Sequence, residues 1–522
     1  MLLRIVSLLA HLAAARAAFH IDLDTNLIVD ELGRARVFHG VNAVEKLGSF
    51  LPSSGAFDLA RSLGRDDAAL LRGWGLNVVR LGVMWPATMP AEGVVNATYL
   101  SLAREMIEAL AEFGVATIVD LHQDVLSPYT CGEGVPDWAY RRALDAVGFN
   151  RSDAARAFPA PRRVDVPTDP ATGHADAAAC AEHAFFGYYF TYESEAAWHA
   201  LYAAPAVQDL VGDHWEAVAR ALAGARGLLG YEMLNEPFPA RPADGSARAL
   251  SDAATLLPLY ERLHARVRAA DDAALFFFEP LVLEEYEAVL ARRATTDFPP
   301  GGPGGPAYAN RSVFAYHSYC ANDATGAPAP WRLCEAIVAS AWRAYAADRA
   351  KLGVGGFLTE FGAVGPDATS LALLRLQAER AEAQFQGWAY WTYKSFDDIT
   401  TQNPATETLW HANGTLQDGK VRELARTYAQ AIAGAPTATR FNATSAAFSL
   451  SFASRAAIAG DTLVYLSTQY YYPRGFDVAL SPAAGVAWST DAAGDGWAVL
   501  RVAHDRAVVA DGDEVSIVIT AK

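Results

Sequence analysis

Leu228-Leu229-Gly230-Tyr231-Glu232-Met233-Leu234-Asn235-Glu236-Pro237 reads as a strand that runs into chemistry. Apart from Glu232, Leu228–Leu234 is too continuously apolar for a strand with one wet face, and fits one buried on both faces of a parallel sheet. At its end it delivers an amide, a carboxylate and a proline. Seven other short runs share this character: Val37–Val41, Val78–Val83, Ala116–Leu121, Leu275–Phe278, Val313–Tyr316, Gly356–Thr359 and Trp388–Trp391. Segments with helical spacing lie between them, among them Tyr99–Phe113, Trp198–Ala223, Ala253–Ala270 and Trp331–Leu352. Eight strands alternating with helices over roughly 400 residues predict an α/β fold, a closed (β/α)8 TIM barrel. The competing architecture, an open doubly wound sheet, lacks its Gly-rich phosphate loop after the first strand.

Past Ala435-Pro436 the pattern changes to short alternating strands, such as Ala447–Phe452, Thr462–Leu466 and Glu514–Ile519, separated by Gly, Pro and Asp. This predicts a small antiparallel β-sandwich over 436–522 whose simplest role is to cover barrel surface. The barrel is assigned to 19–435. Residues 1–18 read as a secretory signal, with Arg4 before the apolar Ile5–Leu12 and an Ala-rich run to Ala18. A short buried helix is the alternative. Two stretches read as long loops: Gln123 to about Ala197, and the Pro/Gly connector Pro299–Pro306, which is expected to be exposed.

The formal net charge of −17 over 522 residues repels nucleic acid, and does not favour docking on anionic lipid by charge. The four cysteines, Cys131, Cys180, Cys320 and Cys334, suggest two disulfides in an oxidising compartment. Three pairings are open; Cys131–Cys180 with Cys320–Cys334 is favoured because each would staple one long loop. A zinc site is the rival, without a Cys-x-x-Cys spacing to support it. Acceptor triplets at Asn96, Asn150, Asn310, Asn413 and Asn442 are compatible with glycosylation.

Reading the ends of the candidate strands in order gives a concentrated polar set. Asn42 follows the first, and the second carries Arg80. The third runs into Asp120-Leu121-His122-Gln123-Asp124, and the fourth into Asn235-Glu236. The sixth gives His317-Ser318-Tyr319, the seventh Glu360, and the eighth Trp391-Thr392-Tyr393-Lys394. Barrel enzymes place their reacting groups at this end of the strands, and packing alone does not call for such groups. Two carboxylates, Glu236 and Glu360, end strands on opposite sides of the barrel mouth. A retaining glycosidase needs two carboxyls about 5–5.5 Å apart, one to protonate the leaving oxygen and one to attack the anomeric carbon. Glu236 is expected to be held protonated by partial burial and a nearby negative charge. Glu360 is expected to be kept ionised by hydrogen bonds from Arg80 and Tyr319.

Asn235-Glu236-Pro237 with a Glu ending the seventh strand resembles glycoside hydrolase family 5, from about residue 36 to 435. The resemblance implies Glu236 as acid/base and Glu360 as nucleophile, supported by Arg80, His122, Asn235, His317, Tyr319 and Trp391. Within the family, Asp120-Leu121-His122-Gln123-Asp124-Val125 and Cys131-Gly132-Glu133-Gly134-Val135-Pro136-Asp137-Trp138-Ala139 look like the endoglycoceramidase group. Gly40-Val41-Asn42 with Lys46, and the closing Trp391-Thr392-Tyr393-Lys394, look similar to it as well. The group cuts the β-bond between an oligosaccharide and ceramide and usually carries a β-sandwich after the barrel.

The resemblance thus implies a glycolipid or oligosaccharide substrate, met transiently at a membrane surface or micelle, with no nucleic acid. The chain is expected to act as a monomer, secreted or in the lumen of an acidic digestive compartment. No cofactor is expected, and no metal, since no ligand spacing such as His-Glu-x-x-His occurs. Lys46 and Asp124 are candidates for sugar hydroxyls, and Trp391 for the platform under the sugar. The aromatic run Phe185–Tyr192 would hold sugar or lipid, or merely anchor its loop. Trp138 and Trp198 read as packing, Glu232 as support for Glu236 or Arg80, and Asp397 and Asp398 as loop residues. Competing functions are an exo-acting β-glucosidase on glucosylceramide or steryl glucoside, an endo-β-glucanase on polysaccharide, and a non-catalytic carbohydrate-binding protein.

Overall fold

A computed structural model describes residues 19–150, 166–240, 251–282, 294–320, 329–396, 400, 404–492 and 496–522. The signal reading of 1–18 and the loop residues Asp397 and Asp398 lie outside the described residues. Three short strands open the fold: β1 (His20–Asp22), β2 (Leu27–Val29) and β3 (Ala35–Arg36). The barrel follows, with β4 (His39–Ala43), β5 (Val78–Gly82), β6 (Ala116–Asp120), β7 (Leu228–Glu232), β8 (Leu275–Phe278), β9 (Ser312–Ser318), β10 (Gly355–Gly362) and β11 (Gly387–Trp391). All pairings are parallel, and β11 returns to β4 to close the ring.

The two-residue period of a strand decides what each barrel residue does. In β5, Val79 and Leu81 join the outer core beneath the helices, whereas Val78 joins the barrel interior with Ile118, Leu229, Phe277, Ala315, Phe357 and Ala389. The next inward position is Arg80. Its neighbours by register are Asn42 on β4 and Ile118 on β6, while Asp120 lies opposite Glu232 on β7. Charge thus replaces hydrocarbon at the top layer of the interior. The lower end is closed by Phe19, Ile21, Ile28 and Phe38.

Three expectations are corrected. The segment Trp198–Ala223 is not one helix but two, Tyr192–Ala203 and Pro205–Leu222. Pro205 has no N–H to continue the first helix and is well placed to begin the second. Ala253–Ala270 divides likewise into Asp252–Thr255 and Leu257–Ala270, with Pro258 in the first turn of the longer piece. Finally, the connector Pro299–Pro306 is partly buried: Gly301, Gly302 and Pro303 are covered, and a Cβ on Gly302 would meet the Phe278 ring at 2.5 Å. Lacking side chains, the glycines let the backbone pack where a bulkier loop could not.

The C-terminal strands are β12 (Tyr428–Ile432), β13 (Gly434–Asn442), β14 (Ala447–Ser454), β15 (Thr462–Ser467), β16 (Phe476–Ser481), β17 (Val486–Ala492), β18 (Trp497–His504) and β19 (Glu514–Ala521). They form an antiparallel four-stranded sheet, β13-β14-β19-β16, and part of a seven-stranded sheet, β1-β2-β3-β12-β15-β18-β17. Alternation is clear in β19, where Val515, Ile517 and Ile519 are buried. The expected boundaries therefore shift. Residues 20–36 and β12 belong to the sandwich sheet, joined through the pairs Ala431↔Arg36 and Ile432↔Ala35. The sandwich is fastened to the barrel by Tyr428 and Tyr465, whose hydroxyls donate to the carbonyls of Gly75 and Gly73 at 2.6 and 2.7 Å. A buried Arg426–Glu382 pair, 2.6 Å at its shorter contact, reinforces the junction.

Both favoured disulfides are present, Cys131–Cys180 and Cys320–Cys334, closing separations of 49 and 14 residues. The longer closure restricts the unfolded chain more, by about 4 kcal/mol for a loop of roughly 50 residues against about 3 for one of 15. A Cys131→Ser/Cys180→Ser variant should lose more denaturant stability than Cys320→Ser/Cys334→Ser. Urea unfolding of the two variants side by side checks the order.

Candidate active site

Barrel closure brings the strand-end residues to one place. Glu236, four residues past the end of β7, and Glu360, in β10, approach so closely that a carboxylate oxygen of each and a ring nitrogen of His317 all lie within 4.8 Å of one another. His317 Nδ1 is 2.8 Å from Glu236 Oε1 and 3.9 Å from Glu360 Oε2. This approach is well short of the roughly 6.5–9.5 Å between the carboxyls of an inverting pair, and agrees with the retaining geometry. Glu236 has a positive φ of 41°. That is an uncommon conformation for a residue with a side chain, and one that recurs at functional sites.

Arg80 is the hub beneath the pair. It is fully buried, and its Nη1 donates to Glu360 Oε2 at 3.1 Å and to Asn42 Oδ1 at 3.0 Å. Its Nη2 donates to Asn235 Oδ1 at 2.8 Å and faces Asp120 at 3.2 Å, and its Nε pairs with Glu232. Tyr319 donates its hydroxyl to Glu360 Oε1 at 2.7 Å. Both expected donors to Glu360 are therefore in place. Asn235 also donates from Nδ2 to the Gln123 carbonyl at 3.0 Å, so its side chain is locked between Arg80 and the third loop.

Glu236 sits in the opposite electrostatic setting. Burial and then the Asp124 carboxylate push it up to about 7, against the pull of His122, Arg80 and Lys46. Asp124 is itself kept ionised: burial opposes its charge, but Lys46 and His122 override that and hold it well below the usual range. Lys46 Nζ reaches Asp124 Oδ2 at 2.6 Å and Thr400 Oγ1 at 2.6 Å. His122 places Nδ1 2.7 Å from Asp120 Oδ2 and Nε2 3.5 Å from Asp124 Oδ2. Burial disfavours its charge as well, yet the Asp120 carboxylate raises it to about 9. A carboxyl pushed up, beside a second that accepts from Arg80 and Tyr319, is the pairing that an acid and a nucleophile at one site require.

An acid with this value sets an alkaline limit. Glu236 must carry its proton for the leaving group, so kcat/KM is expected to fall as pH rises through about 7, approaching tenfold per pH unit. A pH profile of wild type beside Glu236→Gln checks it. The limb should be missing from the variant.

Trp391 lies beside this pair with 7% of its surface exposed. Its ring stacks on His122 at 5.2 Å, Lys46 Nζ stands 4.9 Å from its centroid, and its indole N–H donates to Glu407 Oε2 at 3.1 Å. Such a fixed indole face is suited to a sugar ring. The aromatic run of the third loop divides its work. Tyr189 is buried, stacks on Phe238 at 4.6 Å and points its hydroxyl at Asp124 Oδ1, 3.4 Å away, whereas Phe186 stays exposed.

All ten predicted site residues, Lys46, Arg80, His122, Asp124, Asn235, Glu236, His317, Tyr319, Glu360 and Trp391, belong to this one cluster. Glu232 supports Arg80, as read from its inward position. Sequence reasoning gave no role to Asp120, Glu133, Glu279, Thr400 or Glu407. Glu279 had a readable signal, since Glu279-Pro280 after β8 repeats the Glu236-Pro237 step after β7. Thr400, in a bend, and Glu407, the last residue of the short helix Pro404–Glu407, had none. Two trios, Glu236-His317-Glu360 and Glu232-Glu279-His317, bring potential metal ligand atoms together. The Arg80 guanidinium already supplies a cation to Glu360 of the first trio and to both glutamates of the second.

The family model for cellulase, glycosyl hydrolase family 5, matches residues 60–397, and that for the glycoside hydrolase family 5 C-terminal domain matches 426–519. An endoglycoceramidase of Cyanea nozakii is 31% identical over 471 residues, spanning 89% of this chain and 87% of that one. Another from Hydra vulgaris is 29% identical over 472 residues, 88% and 82% of the two chains. In fold, the chain is similar to the endo-glycoceramidase II from Rhodococcus sp. solved as a lactosyl-enzyme intermediate. The TM-score is 0.71 at 20% identity, covering 95% of this chain and all of that one.

Proposed function

The chain belongs to glycoside hydrolase family 5, and from that membership we propose a retaining endoglycoceramidase that hydrolyses the β-bond between oligosaccharide and ceramide. The observation that carries the mechanism is the approach of Glu236 and Glu360 to within 4.8 Å at the barrel mouth, the first pushed up toward the acid form and the second held by Arg80 and Tyr319. The substrate reading is supported by likeness to endoglycoceramidases across both the barrel and the C-terminal domain.

In the first half-reaction Glu360 attacks the anomeric carbon while Glu236 gives its proton to the departing oxygen of ceramide. This forms a glycosyl-enzyme ester and free ceramide. In the second, Glu236, now a carboxylate, takes a proton from water. The resulting attack frees the oligosaccharide and restores both glutamates. Lys46, Asp124, His122 and Asn235 hold sugar hydroxyls, and Trp391 lies under the ring beside the scissile bond.

Mass spectrometry of products tests the assignment. Incubation with a ganglioside and lactosylceramide should give intact oligosaccharide plus ceramide. Glucose released solely from glucosylceramide or a steryl glucoside would replace it with the exo-acting reading, and cleavage of soluble cellulose alone would remove the lipid.

The enzyme is read as a secreted or acidic-lumen monomer that meets its substrate on a membrane or micelle surface. Two disulfides and acceptor asparagines that are at least partly exposed support this location. Expression in a secreting cell, with N-terminal sequencing of the exported chain, checks for cleavage near Ala18.

A further inference from the structure

Glu279 is a buried carboxyl that the two-step mechanism does not use. Its Oε2 accepts the backbone N–H of Glu236 at 3.3 Å. Its Oε1 stands 3.5 Å from His317 Nε2 and 3.6 Å from Arg80 Nη2. Among the described residues, neither Glu279 Oε1 nor His317 Nε2 has a hydrogen-bond partner. The other nitrogen of that ring, Nδ1, is 2.8 Å from Glu236 Oε1. Glu279, the imidazole and Glu236 therefore stand in line.

A neutral imidazole carries one N–H, and its position decides what Glu236 can do. With the proton on Nδ1, the ring donates to Glu236 Oε1 and leaves Oε2 to carry the acid proton toward substrate. With the proton on Nε2, the bare Nδ1 accepts the proton of Glu236 and holds it away from the leaving group. We propose that Glu279 is a positioning residue that, as the neutral acid, donates its O–H to His317 Nε2 and so keeps the imidazole proton on Nδ1. This rests on the reading of Glu236 as acid/base.

The surrounding charges favour the arrangement. Arg80 faces four carboxylates, those of Asp120, Glu232, Glu279 and Glu360, with Glu236 close by and His122 paired to Asp120. One guanidinium and one imidazolium do not balance that many anions, so protons must remain on some of them. Burial and the Glu232 carboxylate hold Glu279 well above the carboxylate range despite Arg80, and burial keeps His317 neutral, down to about 4. Tyr260 also reaches Glu279, donating to its backbone carbonyl at 3.1 Å.

The test compares Glu279→Gln with Glu279→Leu in the full chain, on aryl β-glycosides with strongly and weakly acidic phenols. Wild-type turnover of either substrate first establishes that the glycosidase reading holds. The Gln amide can donate to Nε2 while its carbonyl accepts the Glu236 N–H, so Glu279→Gln should stay within about threefold of wild type on both. It should also leave the alkaline limb of the pH profile in place. Glu279→Leu should lose at least about tenfold on the weakly acidic phenol, where the general acid matters, and little on the strongly acidic one. Equal losses on both phenols would overturn the proposal, as would a Gln variant as impaired as Leu. So would a Gln variant whose alkaline limb drops to lower pH, since that marks the loss of an anion beside Glu236.

Discussion

Replacing Glu360 with Gln is expected to lower kcat by roughly 10⁴-fold or more on every substrate, because the variant has no anion to attack the anomeric carbon. The amide nearly preserves shape, and Arg80 and Tyr319 still face it. The loss should therefore come without unfolding, which a thermal melt beside the kinetics verifies. Smaller side chains make the test stereochemical. In Glu360→Gly, azide can enter from the face left open and should yield an α-glycosyl azide from a β-glycoside. A Glu360→Gln enzyme as fast as wild type would remove the nucleophile assignment, and so would a β-azide from Glu360→Gly.

Replacing Glu236 with Ala should have an effect that depends on the leaving group. General acid catalysis contributes about 10²–10⁴-fold, so hydrolysis of a ceramide or alkyl glycoside should fall by that order. An aryl glycoside with a strongly acidic phenol departs without a proton. Its first step should persist, and the glycosyl-enzyme should accumulate because no base activates water for the second. Azide, which needs no base, should rescue turnover and give the β-glycosyl azide, opposite to the Glu360→Gly product. Uniform losses across leaving groups would mean that Glu236 does not protonate the departing oxygen.

The contrast between the two glutamates is built from residues far apart in the chain. Glu360 draws on Arg80 and Tyr319, 280 and 41 positions away. Glu236 is raised by burial and then by Asp124, an anion that Lys46 holds ionised from 78 positions away in sequence. Neither environment is local, so neither can be read from neighbouring residues.

By itself, the sequence determined the barrel and its active end. Continuous apolar runs such as Val78-Val79 and Leu228-Leu229 declare strands buried on both faces, and polar groups at their C-terminal ends declare the mouth. These signals are local in the chain, and they located Arg80, Glu236 and Glu360. Tertiary structure decided the rest, because closure into a ring depends on register across strands separated by tens to hundreds of residues. It set the approach of the two carboxyls, drew residues 20–36 into the sandwich sheet, and buried Gly301 and Gly302 in a segment that reads as solvent-exposed. It also placed Glu279 behind His317 and Glu407 against the Trp391 indole. A carboxylate's role depends on what lies within a few ångströms of it, and here those neighbours come from different strands and loops.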